Sequence, residues 1–133
     1  MRGKIFPKDF YKKTLWRVGS SEDTLEIGDS FMVEKTKVKI RVAKTPSTKE
    51  VFGDAPPFGE TFEGCTRFKV GQEFITEGEM PEGFCTWAWN NIYQQILTLM
   101  FGGNFPWMKE KGTGVFCCTD GLRPVVFELR RIE

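Results

Sequence analysis

The chain contains no histidine. That absence excludes Ser-His-Asp and Cys-His catalysis, imidazole proton transfer and every metal site that needs an imidazole. Acid–base work falls to carboxylates, thiols, tyrosine or lysine. GxGxxG, P-loop and EF-hand patterns are missing too, so no motif indicates a cofactor. Residues 1–30 are studded with Lys, Arg, Glu and Asp and lack an apolar h-region, which argues against a secretory signal. The expected location is the cytoplasm, where four cysteines serve as thiols or ligands rather than staples.

The sharpest local lack is of charge. From Phe84 to Met108, FCTWAWNNIYQQILTLMFGGNFPWM, no Asp, Glu, Lys or Arg occurs, although 28% of the chain is charged. A face turned to water normally carries charge. Here that side carries amides, so it is expected to be covered by a strand, a subunit or a ligand. Asn90, Asn91, Gln94, Gln95 and Gly102-Gly103 argue against a membrane span.

With 133 residues, one domain is expected, large enough to bury a core without disulfides. A net charge of +1 gives no global pull toward nucleic acid or membrane, and neither is expected as a partner. The distribution is uneven: residues 1–50 are net basic and residues 51–83 net acidic. These parts should attract each other within the fold or between subunits.

Residues 37–44, KVKIRVAK, alternate as a half-buried strand, with Val38, Ile40 and Val42 inward. Residues 45–64, rich in Pro, Gly and Thr, read as a loop. Residues 69–77 read as a turn and short strand, whose pattern nearly repeats that of residues 26–34. A helix is predicted from Thr86, a possible cap, to Gly102-Gly103, where a left-handed residue is easiest. Trp89, Ile92, Tyr93, Ile96, Leu97, Leu99 and Met100 would share its apolar face, with Trp87 and the amides opposite. Residues 113–118 and 124–132 read as strands joined by a turn. The expected fold is α+β: a mainly antiparallel sheet with one long helix packed across it, β-β-α-β-β, preceded by a β-rich accessory extension over residues 1–36.

Several residues are candidates for chemistry. Cys85 stands at the helix entry, where unpaired N–H groups and the positive dipole end favour a thiolate; a small buried hydrophobe is the competing reading. In a strand, Cys117 and Cys118 point to opposite faces, so only one can meet Cys85. Asp120 and Arg123 form either an ion pair pinning the last turn or a base with an anion-binding guanidinium. Cys65, Cys85 and Cys118 are a conceivable three-thiolate metal site, although no CxxC knuckle supports it.

Read in order, the residues form a distinctive string. It runs through Gly64-Cys65, Phe68-Lys69-Val70-Gly71-Gln72-Glu73-Phe74, Gly83-Phe84-Cys85-Thr86-Trp87-Ala88-Trp89, Gly102-Gly103-Asn104-Phe105-Pro106-Trp107-Met108 and Cys117-Cys118-Thr119-Asp120-Gly121, closing with Arg123-Pro124-Val125-Val126-Phe127 and Arg130-Arg131-Ile132. Residues 37–133 thus resemble a family of small prokaryotic proteins common in anaerobes, with no established activity. Some members carry a Gly-His after the first cysteine and a Cys-Pro at the helix entry; this chain has neither. The resemblance implies a site around Cys85, Trp87, Trp89, Trp107, Cys118, Asp120 and Arg123.

The leading expectation is a small-molecule or thiol-chemistry pocket at the helix start. In it Cys85, Cys118 and Asp120 would be the reacting groups, and Trp87, Trp89, Trp107, Asn91 and Arg123 the ligand contacts. A three-cysteine metal protein and a homo-oligomeric structural module are the alternatives.

Overall fold

The computed structural model describes residues 34–132. The accessory extension expected over residues 1–36, and the first copy of the repeated turn-strand pattern, lie almost wholly outside the described residues. Four strands follow: β1 (Lys37–Lys44), β2 (Glu73–Thr76), β3 (Thr113–Cys117) and β4 (Val126–Ile132). They form one antiparallel sheet in the order β2-β1-β4-β3. Helix α2 (Thr86–Met100) packs on one face, and a short helix α1 (Thr48–Phe52) lies in the connection after β1. The expected α+β fold, with one long helix across an antiparallel sheet, is the fold of this molecule.

Alternation builds the interface. Val38, Ile40 and Val42 pair across to Arg131, Leu129 and Phe127, and all but Arg131 are sealed in the core. From the helix, Ala88, Ile92, Ile96, Leu99 and Met100 meet them, following the three-to-four residue spacing of an apolar stripe. Trp89 and Leu97 pack at its edge, half-buried. The opposite strand face is charged and solvated, as one-sided antiparallel sheets are. There Lys37 pairs with Glu77 at 2.7 Å and Lys39 with Glu73 at 3.3 Å. The basic and acidic parts of the sequence therefore meet within the fold. Exposed as they are, each pair contributes about 0–1 kcal/mol.

Both ends of α2 differ in how they are closed. At the C-terminus, Gly102 takes a positive φ of 86° and the Gly103 amide donates to the Thr98 carbonyl at 2.8 Å, a Schellman closure. A Cβ at Gly103 would stand 2.6 Å from Thr98 Cγ2, so no other residue fits there without displacement. At the N-terminus the cap is Cys85 rather than Thr86, and its side chain makes no capping hydrogen bond.

Among the described residues, the one element absent from the sequence reading is α1. Its signal was present: Ser47 and Glu50 form a capping box, with Ser47 Oγ accepting from the Glu50 amide at 3.2 Å and Glu50 Oε2 from the Ser47 amide at 2.7 Å. The surrounding prolines and glycines mask a helix of five residues.

Candidate functional site

A knot of phenylalanines positions the site. Phe84, the residue before Cys85, lies 5.0 Å from Phe68 and 5.6 Å from Phe127 between ring centroids. Phe68 in turn stands edge-on to Phe127 at 5.3 Å. Each such pair adds about 0.5–1.5 kcal/mol beyond burial. Because Phe68 and Phe84 are buried, the residues flanking them are fixed at the core's rim. Those flanking segments carry Cys65, Arg67, Cys85 and Trp87. Gly64 brings the first of them in close: its φ is 122°, and a Cβ would lie 2.5 Å from the Thr45 carbonyl oxygen.

The two segments meet the end of the last hairpin around a cavity of about 400 Å³. Cys65, Cys85 and Cys118 all line it, together with Trp87, Asp120 and Arg123. The three thiols are free and partly buried, with one side against the core. Cys118 is the member of its vicinal pair that turns inward. Its Sγ accepts a hydrogen bond from the Val125 amide at 3.2 Å, and its own amide donates to the Val125 carbonyl at 3.0 Å. Cys117 is outside the cavity lining, and burial, then the adjacent Cys118 thiol, push its pKa above the usual thiol value.

Asp120 and Arg123 act as a unit. Asp120 Oδ1 accepts from the Leu122 amide at 2.9 Å and the Arg123 amide at 3.3 Å, shaping the turn. Its Oδ2 lies 3.7 Å from Arg123 Nε, attracted but beyond hydrogen-bond reach. Arg123 Nε is thus a buried donor with no acceptor. The guanidinium carbon sits 4.8 Å above the Phe62 ring, a cation–π contact that holds it in place. One Asp120 oxygen is committed to the turn and the other faces the guanidinium. Counting side-chain charges, two arginines (Arg67 and Arg123) face one aspartate across the cavity.

Three of the expected contact residues lie elsewhere. Trp89 packs into the aromatic rim, 6.1 Å from Phe84 and 5.3 Å from Tyr93, because the helical turn carries it away from Trp87. Asn91 is committed to structure: its Nδ2 donates to the Cys117 carbonyl at 2.6 Å and ties the helix to β3. Trp107 stacks near Phe105 at 5.2 Å and borders a hollow of about 450 Å³ on the far face of the sheet. That larger hollow is walled by charged strand residues such as Lys39, Arg41 and Glu128 and contains no thiol. The smaller cavity holds three thiols where the larger holds none, so it is the candidate site for the expected thiol chemistry.

Among the described residues, no group of three or more His, Cys, Asp or Glu is arranged to hold a metal ion. Cys65, Cys85 and Cys118, the residues of the three-thiolate alternative, share the cavity lining. No described helix is long and apolar enough to cross a membrane. Sequence reasoning missed Cys65 as a wall of the thiol pocket, and with it Arg67. The signal was Phe68, a single apolar residue in a polar loop. Comparison with protein-family models, with curated proteins and with solved structures returns no match.

Proposed function

We propose that the cavity at the start of α2 is a small-molecule site whose chemistry is that of thiols. Cys85 is its nucleophile, Cys118 its second thiol, Arg123 its anchor for a polar or anionic group and Trp87 its apolar wall. Asp120 positions Arg123. The observation that carries this reading is the convergence of three of the four cysteines and a guanidinium on one open cavity. The first-turn amides of a helix have no intrahelical acceptor. Here no side chain caps them and no acidic residue occupies that turn, so the helix start beside Cys85 is open to a polar or anionic group of a ligand. A reducing compartment such as the cytoplasm suits four free thiols.

The test is alkylation of the folded protein with iodoacetamide, followed by peptide mapping. Cys85 is expected to take the label ahead of Cys65 and Cys117, and Cys85→Ser to remove the fast phase. Folded protein that leaves Cys85 unlabelled, while denatured protein labels all four cysteines, defeats the reading.

A second reading, a homo-oligomer, is favoured by the charge-free side of the molecule. The amide face of α2 is exposed, with Trp87 64% exposed, and adjoins β3, the sheet edge among the described residues. The β3 sequence TGVFC has neither charge nor proline, the usual guards of an edge strand. A second copy of this chain is the occupant proposed for that side. The two readings share Trp87, which borders both the cavity and the amide face.

A further inference from the structure

Resting on the thiol reading above, we propose that the ligand is a small disulfide bearing an anionic group, captured as a mixed disulfide on Cys85. Two sets of observations lead there, one on charge and one on reaction type.

The charge of the cavity selects an anion. Arg67 and Arg123 line it against Asp120 alone, and Asp120 already serves the Leu122 and Arg123 amides. Arg123 Nε is buried and lacks an acceptor, although buried donors are almost always satisfied. Phe62 holds the guanidinium on one side and Asp120 stays at 3.7 Å from the buried Nε, so the group is oriented while the side chain remains 38% exposed to the cavity's solvent. A carboxylate is the acceptor that a guanidinium matches best in shape and charge. Trp87, largely exposed, gives apolar surface for the body of the same ligand.

The reaction type follows from what the cavity lacks. It contains no histidine, and its one carboxylate is engaged by the turn, so no group is free to protonate a poor leaving group. Thiol–disulfide exchange needs none, because its leaving group is a stable thiolate. The Cys85 thiol loses its proton to solvent, and its sulfur attacks one sulfur of the ligand. A protein–ligand S–S bond forms as the ligand's S–S bond breaks. The other half of the ligand leaves as a thiolate and takes a proton from solvent. One disulfide replaces another, so the ligand itself is the oxidant and nothing else is consumed. Attack of the Cys118 thiol, in the same cavity, on the Cys85 sulfur breaks the mixed disulfide, expels the captured half as a second thiolate and forms a Cys85–Cys118 disulfide, so the two protein thiols are oxidised by the one ligand disulfide.

Two aromatic disulfide probes test this: dithiobis(nitrobenzoate), a dianion, and dithiodipyridine, which is neutral. The rate at Cys85 with each is followed by the absorbance of the released thiol and located by peptide mapping. The ratio of the anionic to the neutral rate is expected to fall about tenfold in Arg123→Gln, the loss of a charge-assisted contact. In the wild-type protein the anionic rate should also drop with rising salt while the neutral rate holds. The salt series decides the matter even where the variant does not fold. A ratio unchanged in Arg123→Gln, or rates for both probes equally flat with salt, overturns the anion preference and leaves the thiol reading standing. Failure of the neutral probe to label Cys85 in folded protein removes the thiol reading itself.

Discussion

Cys117 and Cys118 are adjacent in sequence, yet their surroundings assign them opposite behaviour. Strand geometry sends successive side chains to opposite faces, so Cys118 joins the cavity and Cys117 does not. Burial first, and the neighbouring thiol second, raise the Cys117 pKa, which lowers its thiolate fraction at any given pH. Cys117 is therefore expected to alkylate last of the four cysteines in native protein at mildly alkaline pH, as read by timed mass spectrometry. Early labelling at Cys117 would contradict the burial described. The linkage has a definite sign. A thiol whose pKa is raised by folding contributes stability that is complete below the unfolded-chain value and is lost as pH climbs through the folded one. Urea midpoints measured upward from neutral pH should thus decline in the alkaline range, and less so in Cys117→Ala. Much of this was legible: alternation alone says that only one of the pair can meet Cys85. The surroundings of Asp120 were not, because which oxygen serves the turn depends on the turn's closed geometry.

At the scale of elements, α2 is held by residues remote in sequence. Its last turn has no basic residue of its own, although its carbonyls carry partial negative charge. Arg131 of β4 supplies the cation. Its Nη1 donates to the Leu99 carbonyl at 3.1 Å and the Gly103 carbonyl at 2.9 Å, and its Nη2 to Asn104 Oδ1 at 3.2 Å. Thr36 adds a hydroxyl and an amide to the Met100 carbonyl, at 3.0 and 3.1 Å. Arg131→Met keeps the stem but removes all three donations; the Leu99 carbonyl and Asn104 Oδ1 retain the Gly102 and Gly112 amides while the Gly103 carbonyl loses its partner, which should cost about 1–3 kcal/mol in urea unfolding. A change within error would mean that solvent replaces the guanidinium freely. The helix span and its Gly102-Gly103 stop could be read from periodicity and glycine placement. Arg131 could not, since its register opposite Val38 is set by strand pairing across most of the chain.

Among the described residues, charge divides by side. Ion pairs cover the outer face of the sheet, where Arg41 meets Glu128 at 3.1 Å and Arg130 meets Glu110 at 2.9 Å. The side made by α2's outer surface and the β3 edge carries amides and exposed aromatics instead. A two-fold axis brings like residues together, so a charged patch repels its own copy and a neutral one does not. Antiparallel pairing of β3 with its symmetry mate would also satisfy edge amides and carbonyls that water otherwise serves. Asn91 is unsuited as a probe of this contact, because it anchors β3 through the Cys117 carbonyl. Asn90 and Gln94 are exposed on the same helix surface, one turn apart. We expect wild-type protein to sediment as a dimer with a concentration-dependent thermal midpoint, and Asn90→Glu combined with Gln94→Glu to sediment as a folded monomer whose midpoint no longer depends on concentration. The matching change to Gln on the outer sheet face, Glu128→Gln, should leave the dimer intact. A wild-type monomer at high concentration would show that neutrality here is simply solvated surface, and Cys85 chemistry would then be judged on the single chain.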